Sequence, residues 1–116
     1  MDIPDTTAWS AGDFAIAYDG LHAICGVANG IVCQPRAMTS EHELSPGAAL
    51  LDTISVIMLD PMIDRLMEDL EARVYPDAEQ DDQRIGLLVR YWLELGVTPA
   101  EIVVRIAVAQ SERKAA

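Results

Sequence analysis

Asp60-Pro61 interrupts the longest helix-compatible apolar run in the chain, Ser45 to Val74, and constrains every fold the chain can adopt. A proline inside a helix has no N–H for the carbonyl four residues back, here that of Ile57, and its ring presses on the same carbonyl. The run must therefore kink at Pro61, or stop and restart with Asp60 as a new N-cap. It opens with Ser45-Pro46, a capping hydroxyl followed by a residue whose fixed φ suits the first helical position. From Ala48 to Leu59 only Asp52, Thr53 and Ser55 interrupt the apolar residues. These crowd nearly every side of a helix, which predicts a buried half. Beyond Pro61 the apolar residues Ile63, Leu66, Met67, Leu70 and Val74 keep a helical period, while Asp64, Glu68, Asp69 and Glu71 take other positions. The second half thus reads as a surface helix with an acidic outer face.

The remaining elements follow from similar signals. Ser10 and Asp13 have the spacing of a capping box, and Phe14, Ala17, Tyr18, Leu21, Ile24, Cys25, Ala28, Ile31 and Val32 continue in helical phase to Gln34-Pro35. Trp9, in the lead-in, is an anchor for the body. Asp19-Gly20 and Asn29-Gly30 are also hairpin signals, so a short β-meander over residues 14–34 is the competing expectation. Abundant alanine and the length of the period favour helix. Tyr75 to Asp82, with Pro76 and four acids, reads as the most solvated loop. A further helix is expected over Asp82–Leu95 from Ile85, Leu88, Val89, Trp92 and Leu95. Gly96 suits the left-handed position after it, and Thr98-Pro99-Ala100-Glu101 supplies the N-cap, N1 proline and N3 acid of a last helix reaching Arg113.

A chain of 116 residues fits one helical domain, 1–116, that needs no metal or disulfide support. Two tryptophans, three tyrosines and one phenylalanine leave a core of Ala, Leu, Ile, Val and Met. The expected fold is an all-α bundle of four to five helices, with the central one kinked or split at Pro61; the alternative is α+β with the meander.

The charge is unevenly distributed. Residues 1–40 carry four acids and one base, residues 41–82 twelve acids and two bases, and residues 83–116 three acids and five bases, giving −3, −10 and +2 for the total of −11. Such a field repels nucleic acid and anionic membranes and attracts basic protein surfaces. Two cysteines and an acidic start point to a reducing cytoplasm. The span Phe14–Pro35 approaches membrane length, yet it carries Asp19, His22 and three glycines, so no membrane role is expected.

Motifs for chemistry are absent: there is no phosphate loop, nucleophile elbow or paired-cysteine signature. No catalytic residue, cofactor or metal ligand is assigned. Asp19, His22 and Cys25 would share one side of a helix, but the converging ligands of a metal site are missing; Glu41-His42-Glu43 is a charged loop. A helix-turn-helix reading around Gly96 meets an apolar recognition helix (Ile102, Val103, Val104, Ile106, Val108), with Glu101 facing any phosphates.

The leading expectation is a non-enzymatic interaction protein. Its partner-binding carboxylates would be Asp64, Glu68, Asp69, Glu71, Asp77, Glu79, Asp81 and Asp82, presented to a basic surface. A fitting partner is a nucleic-acid-binding protein whose site is occupied by mimicry of phosphate charge, as small inhibitors from phages and mobile elements do. The alternative is an assembly adaptor that docks or forms a homodimer through its apolar C-terminal helical hairpin. Less favoured is a DNA-binding regulator acting through Arg105, Arg113 and Lys114.

Overall fold

The computed structural model describes residues 3–115 and is all-α. Five α-helical spans form four rods. These are α1 (Ala11–Val32), then α2 (Pro46–Thr53) and α3 (Asp60–Glu71) joined end to end, then α4 (Ala78–Glu94) and α5 (Pro99–Ala115). Among the described residues the only pairing of β type is an isolated bridge between Met38 and Leu44. The meander over residues 14–34 is therefore corrected to helix.

Local signals determine the ends. Ser10 and Asp13 form a reciprocal capping box, Ser10 N donating to Asp13 Oδ2 at 2.9 Å and Asp13 N to Ser10 Oγ at 3.1 Å. Ser45 Oγ accepts from Ala48 N, and Pro46 takes the first turn. After α4, Gly96 adopts φ +82, Gly96 N donates to Leu93 O and Val97 N to Trp92 O. This double closure is a Schellman ending and supplies partners for the orphan carbonyls. Thr98 Oγ1 then accepts from Glu101 N at 3.3 Å, as the spacing predicts.

Pro61 neither breaks the rod nor starts a new one. Residues Ile54–Leu59 widen into a π-helical segment, and Asp60 N reaches back to Ser55 O. Placing the wider turn directly before the proline changes the spacing of the carbonyls that its ring approaches. The result is one helical run, Pro46–Glu71, of 26 residues.

The chain divides into two compact units: Ile16–Arg65 with the start of the lead, and Asp5–Ala15 with Leu66 onward. In the first unit α1 and the α2 rod form an antiparallel hairpin. Cys25 meets Asp60 while Ala28 and Leu51 line the same groove, so late residues of one helix face early residues of the other. Tyr18, Ala37, Ala48 and Ile63 are its buried apolar residues.

The expectation that Ala48 to Leu59 is buried is overturned. Leu50 is 60% exposed, Val56 56%, Ile57 67% and Met58 37%. A two-helix hairpin has one inner face per helix, and a segment apolar on all sides cannot hide the rest.

The second unit has a conventional interior. Phe14, Leu66, Met67, Leu70, Ile85, Leu88, Trp92 and Ile102 are buried in it. Trp9 is the anchor its position suggested: its ring packs edge-on against Phe14 with centroids 5.1 Å apart, and its carbonyl accepts from Tyr75 Oη at 2.9 Å.

Candidate interaction surfaces

The carboxylates picked out by charge are sorted by the phase of the helices that carry them. On α3 the apolar positions Ile63, Leu66, Met67 and Leu70 face inward. Asp64, Glu68 and Glu71, at i, i+4 and i+7, are therefore exposed along one outer stripe. Asp69 is half-buried and accepts from Thr6 Oγ1 at 3.0 Å, so it ties the lead segment to α3. Asp77 and Glu79 are exposed, and Asp77 also caps α4 by accepting from Gln80 N at 3.0 Å. Asp82 is exposed and takes Arg113 Nη1 at 2.7 Å.

Asp81 does not belong to this surface. It is fully buried, as is Arg84, whose Nε donates to Asp81 Oδ1 at 2.9 Å. The same oxygen accepts from Tyr75 N at 3.1 Å, and Arg84 Nη1 donates to the carbonyl of Glu71 at the end of α3. The pair thus joins the end of α3, the connection after it and the first turn of α4. Arg113 Nε lies 3.6 Å from Asp81 Oδ2. Among the described residues, neither Asp81 Oδ2 nor Arg84 Nη2 has a hydrogen-bond partner.

The expected solvated loop from Tyr75 to Asp82 is corrected accordingly. Helix α4 begins at Ala78, and Tyr75 and Asp81 are interior groups. An aspartate cap and a buried carboxylate held by an arginine override the polarity of the segment. Arg84 was not singled out by sequence, yet a signal for it exists: it precedes Leu88 by four residues, in phase with the buried stripe of α4.

Beside Arg84 is a cavity of about 40 Å³ lined by residues that include Glu71, Trp92, Arg105 and Glu112. Arg105 lies over the Trp92 ring at 5.4 Å, with Nε 3.4 Å from Glu101. Two of the cations that a DNA-binding reading would need, Arg105 and Arg113, are thus engaged with groups of their own chain.

Cys25 Sγ is 3.8 Å from Asp60 Oδ1, and Cys33 Sγ is 3.9 Å from Asn29 Oδ1; both thiols are free. Burial pushes the Cys25 thiol above its ordinary value; a hydrogen bond with Ser55 works against this, and the neighbouring Asp60 adds to the rise. His22 packs against the Tyr18 ring with centroids 5.4 Å apart. Among the described residues no three His, Cys, Asp or Glu side chains converge as a metal site would require.

Two apolar surfaces complete the inventory. On the hairpin, Ile16 is 76% exposed, Ile24 54% and Val27 65%, and a groove of about 340 Å³ is lined by Ala23, Ile24, Val27, Ala28 and Leu51. On the C-terminal pair α4–α5, Val103 is 66% exposed, Val104 55% and Val108 52%. Among the described residues two helices reach membrane-spanning length and apolarity, Ala11–Val32 with mean hydropathy 1.3 and Pro46–Glu71 with 1.4, each 11% buried over its most apolar stretch. Sequence inspection had found only the first. Comparison of the chain with protein families, curated proteins and solved structures finds no match.

Proposed function

We propose that this chain is a non-enzymatic, cytoplasmic protein-interaction module that presents an acidic surface to a basic partner protein. The observation that carries the reading is the disposition of carboxylates on α3 and the start of α4. Asp64, Glu68, Glu71, Asp77, Glu79 and Asp82 are all exposed, while Arg73, one of the two bases of residues 41–82, is turned inward. Its guanidinium donates to the Thr6 and Trp9 carbonyls and covers the Phe14 ring at 5.1 Å, so it is held by its own chain; the other base, Arg65, is exposed on α3. A partner with a phosphate-binding surface fits this pattern, which makes occupation of a nucleic-acid-binding site the most specific form of the proposal. Charge steers such encounters and sets their salt dependence.

The test is affinity capture from nuclease-treated host lysate at low and high salt, comparing the native chain with Asp64→Lys/Glu68→Lys/Glu71→Lys. A basic protein retained only by the native chain and released by salt is the expected result. Equal capture by both forms would refute the reading.

A second reading rests on Val103, Val104 and Val108, which leave α5 with an exposed apolar stripe. An adaptor docking there would survive the charge reversals and lose its partner with Val104→Asp.

A further inference from the structure

The acidic surface already holds a guanidinium of its own chain. Arg113, in the last turn of α5, reaches across to the start of α4, where its Nη1 donates to Asp82 Oδ1 at 2.7 Å. Its Nε lies 3.6 Å from Oδ2 of the neighbouring Asp81. One planar group thus faces two successive carboxylates, a use of the guanidinium fork that a lysine ammonium cannot copy. Asp81 is an interior group, whereas Asp82 belongs to the partner-facing set of carboxylates.

The basic residues of α4 and α5 divide by what they touch. Arg84 is turned to buried Asp81, and Arg105 to Glu101 one turn back on its own helix. Of these three arginines only Arg113 ends on a carboxylate of the partner-facing set. A fastening role for the contact is weak. Helix α5 is already seated by buried Ile102 and Ala109, and Asp82 is 68% exposed with Arg113 at 27%. Ion pairs as open as this shift an equilibrium by up to about fivefold. That is little for holding a helix, yet enough to compete with a second guanidinium for the same carboxylate.

We infer that Arg113 is an intramolecular plug, which occupies the Asp82 end of the acidic surface in the free chain and gives way when an arginine side chain of the basic partner takes its place. The inference rests on the acidic-surface reading and adds to it the partner's chemistry and a threshold. A site that is free for only part of the time binds with an affinity reduced by that fraction. An incoming guanidinium also restores the cation that Asp81 Oδ2 faces, while an ammonium supplies a single point charge. Contact confined to Asp64, Glu68 and Glu71 leaves the plug seated.

Calorimetric titration of the full chain with nona-arginine peptide at low salt tests the inference. Arg113→Gln should tighten binding about twofold to fivefold more than Lys114→Gln, which removes the same charge one residue along. In an Asp82→Asn background this excess should vanish. Circular dichroism checks that the variants keep their helices. The native chain gives a reading that needs no variant: the Arg113 Nε–Hε signal in nitrogen-15 NMR should move toward that of free arginine as peptide is added, and nona-lysine should move it less. Equal gains from Arg113→Gln and Lys114→Gln, an excess that persists with Asp82→Asn, an Arg113 signal unmoved at saturating peptide, or equal displacement by nona-lysine would overturn the inference and leave the acidic-surface reading standing. Peptide that binds neither the native chain nor the variants would overturn both.

Discussion

In the unit built from Asp5–Ala15 and Leu66 onward, Phe14, Met67, Leu70, Leu88 and Trp92 are at most 2% exposed, whereas in the unit Ile16–Arg65 the residues Ile16, Ile24, Val27, Leu50, Val56 and Ile57 are all more than half exposed. Both are helical and both are rich in aliphatic residues. The difference lies in how many faces each has to cover. The second unit folds a lead segment and parts of four helices around aromatic anchors and a buried ion pair, so most of its apolar stripes find partners, the outer side of α5 with Val103, Val104 and Val108 excepted. The hairpin offers each helix one covered face, while its helices are apolar over more than that. The surplus is why so many apolar side chains of the hairpin stand exposed.

The sharpest way to break this contrast is to remove one half of the buried pair. Asp81→Ala leaves Arg84 buried with an uncompensated charge and frees the Tyr75 amide that Asp81 accepts. Loss of one partner of a buried pair costs about 3–5 kcal/mol, a large share of the stability of a small chain. Urea denaturation followed by circular dichroism should show this loss, together with exposure of Trp92 by fluorescence. A loss under about 1 kcal/mol would mean that the pair does not organise the unit.

A matched pair of truncations sharpens it further. Leu88→Ala, at a position with no exposure, should cost about 2–5 kcal/mol. Val56→Ala, 56% exposed, should fall within about 0.5 kcal/mol in dilute monomer. Equal losses at the two sites would remove the distinction between the units.

Sequence made some of this legible and hid the rest for identifiable reasons. Helix ends set by residues a few positions apart were readable: Ser10 with Asp13, Ser45 with Pro46, Gly96 followed by Thr98-Pro99. So was the inward phase of Leu66, Met67 and Leu70, which left Asp64, Glu68 and Glu71 outside. The fate of Asp81 was not, because a carboxylate in a run of acids looks solvated until Arg84 and Tyr75 are placed around it. The exposure of Leu50 to Met58 was hidden for the opposite reason. Periodicity shows that a helix is apolar on all sides, but not whether enough other chain exists to cover it. Pro61 allowed a kink or a break, and the π-helical solution depends on the Asp60 to Ser55 hydrogen bond, for which sequence has no marker.

A cap comparison probes the units on equal chemistry. Ser45→Ala removes the hydroxyl that accepts from Ala48 N in the hairpin, and Asp77→Ala removes the carboxylate that accepts from Gln80 N in the other unit. Each should cost about 1 kcal/mol. The Asp77 contact is shorter, 3.0 Å against 3.4 Å, and its charge favours a helix N-terminus, so Asp77→Ala should show the larger loss in thermal denaturation.

The smallest effect expected is a titration inside the hairpin. Cys25 is half-buried with its sulfur 3.8 Å from Asp60 Oδ1, and burial first, then the nearby carboxylate, push its thiol above the ordinary value. A thiol raised in this way ionises more readily in the unfolded chain than in the folded one. Its contribution to stability is therefore present below the ordinary thiol range and is lost as pH rises through the folded value. Iodoacetamide labelling of Cys25 across alkaline pH should reach its midpoint at higher pH in the folded chain than in the urea-unfolded chain. Asp60→Asn should move the Cys25 profile toward the ordinary value by removing one of its causes, while burial, the larger cause, keeps part of the shift. A Cys25 profile that is the same in the folded and the unfolded chain would show that the hairpin's inner face opens readily to water. The hairpin would then differ from the other unit on its covered side as well as its exposed one.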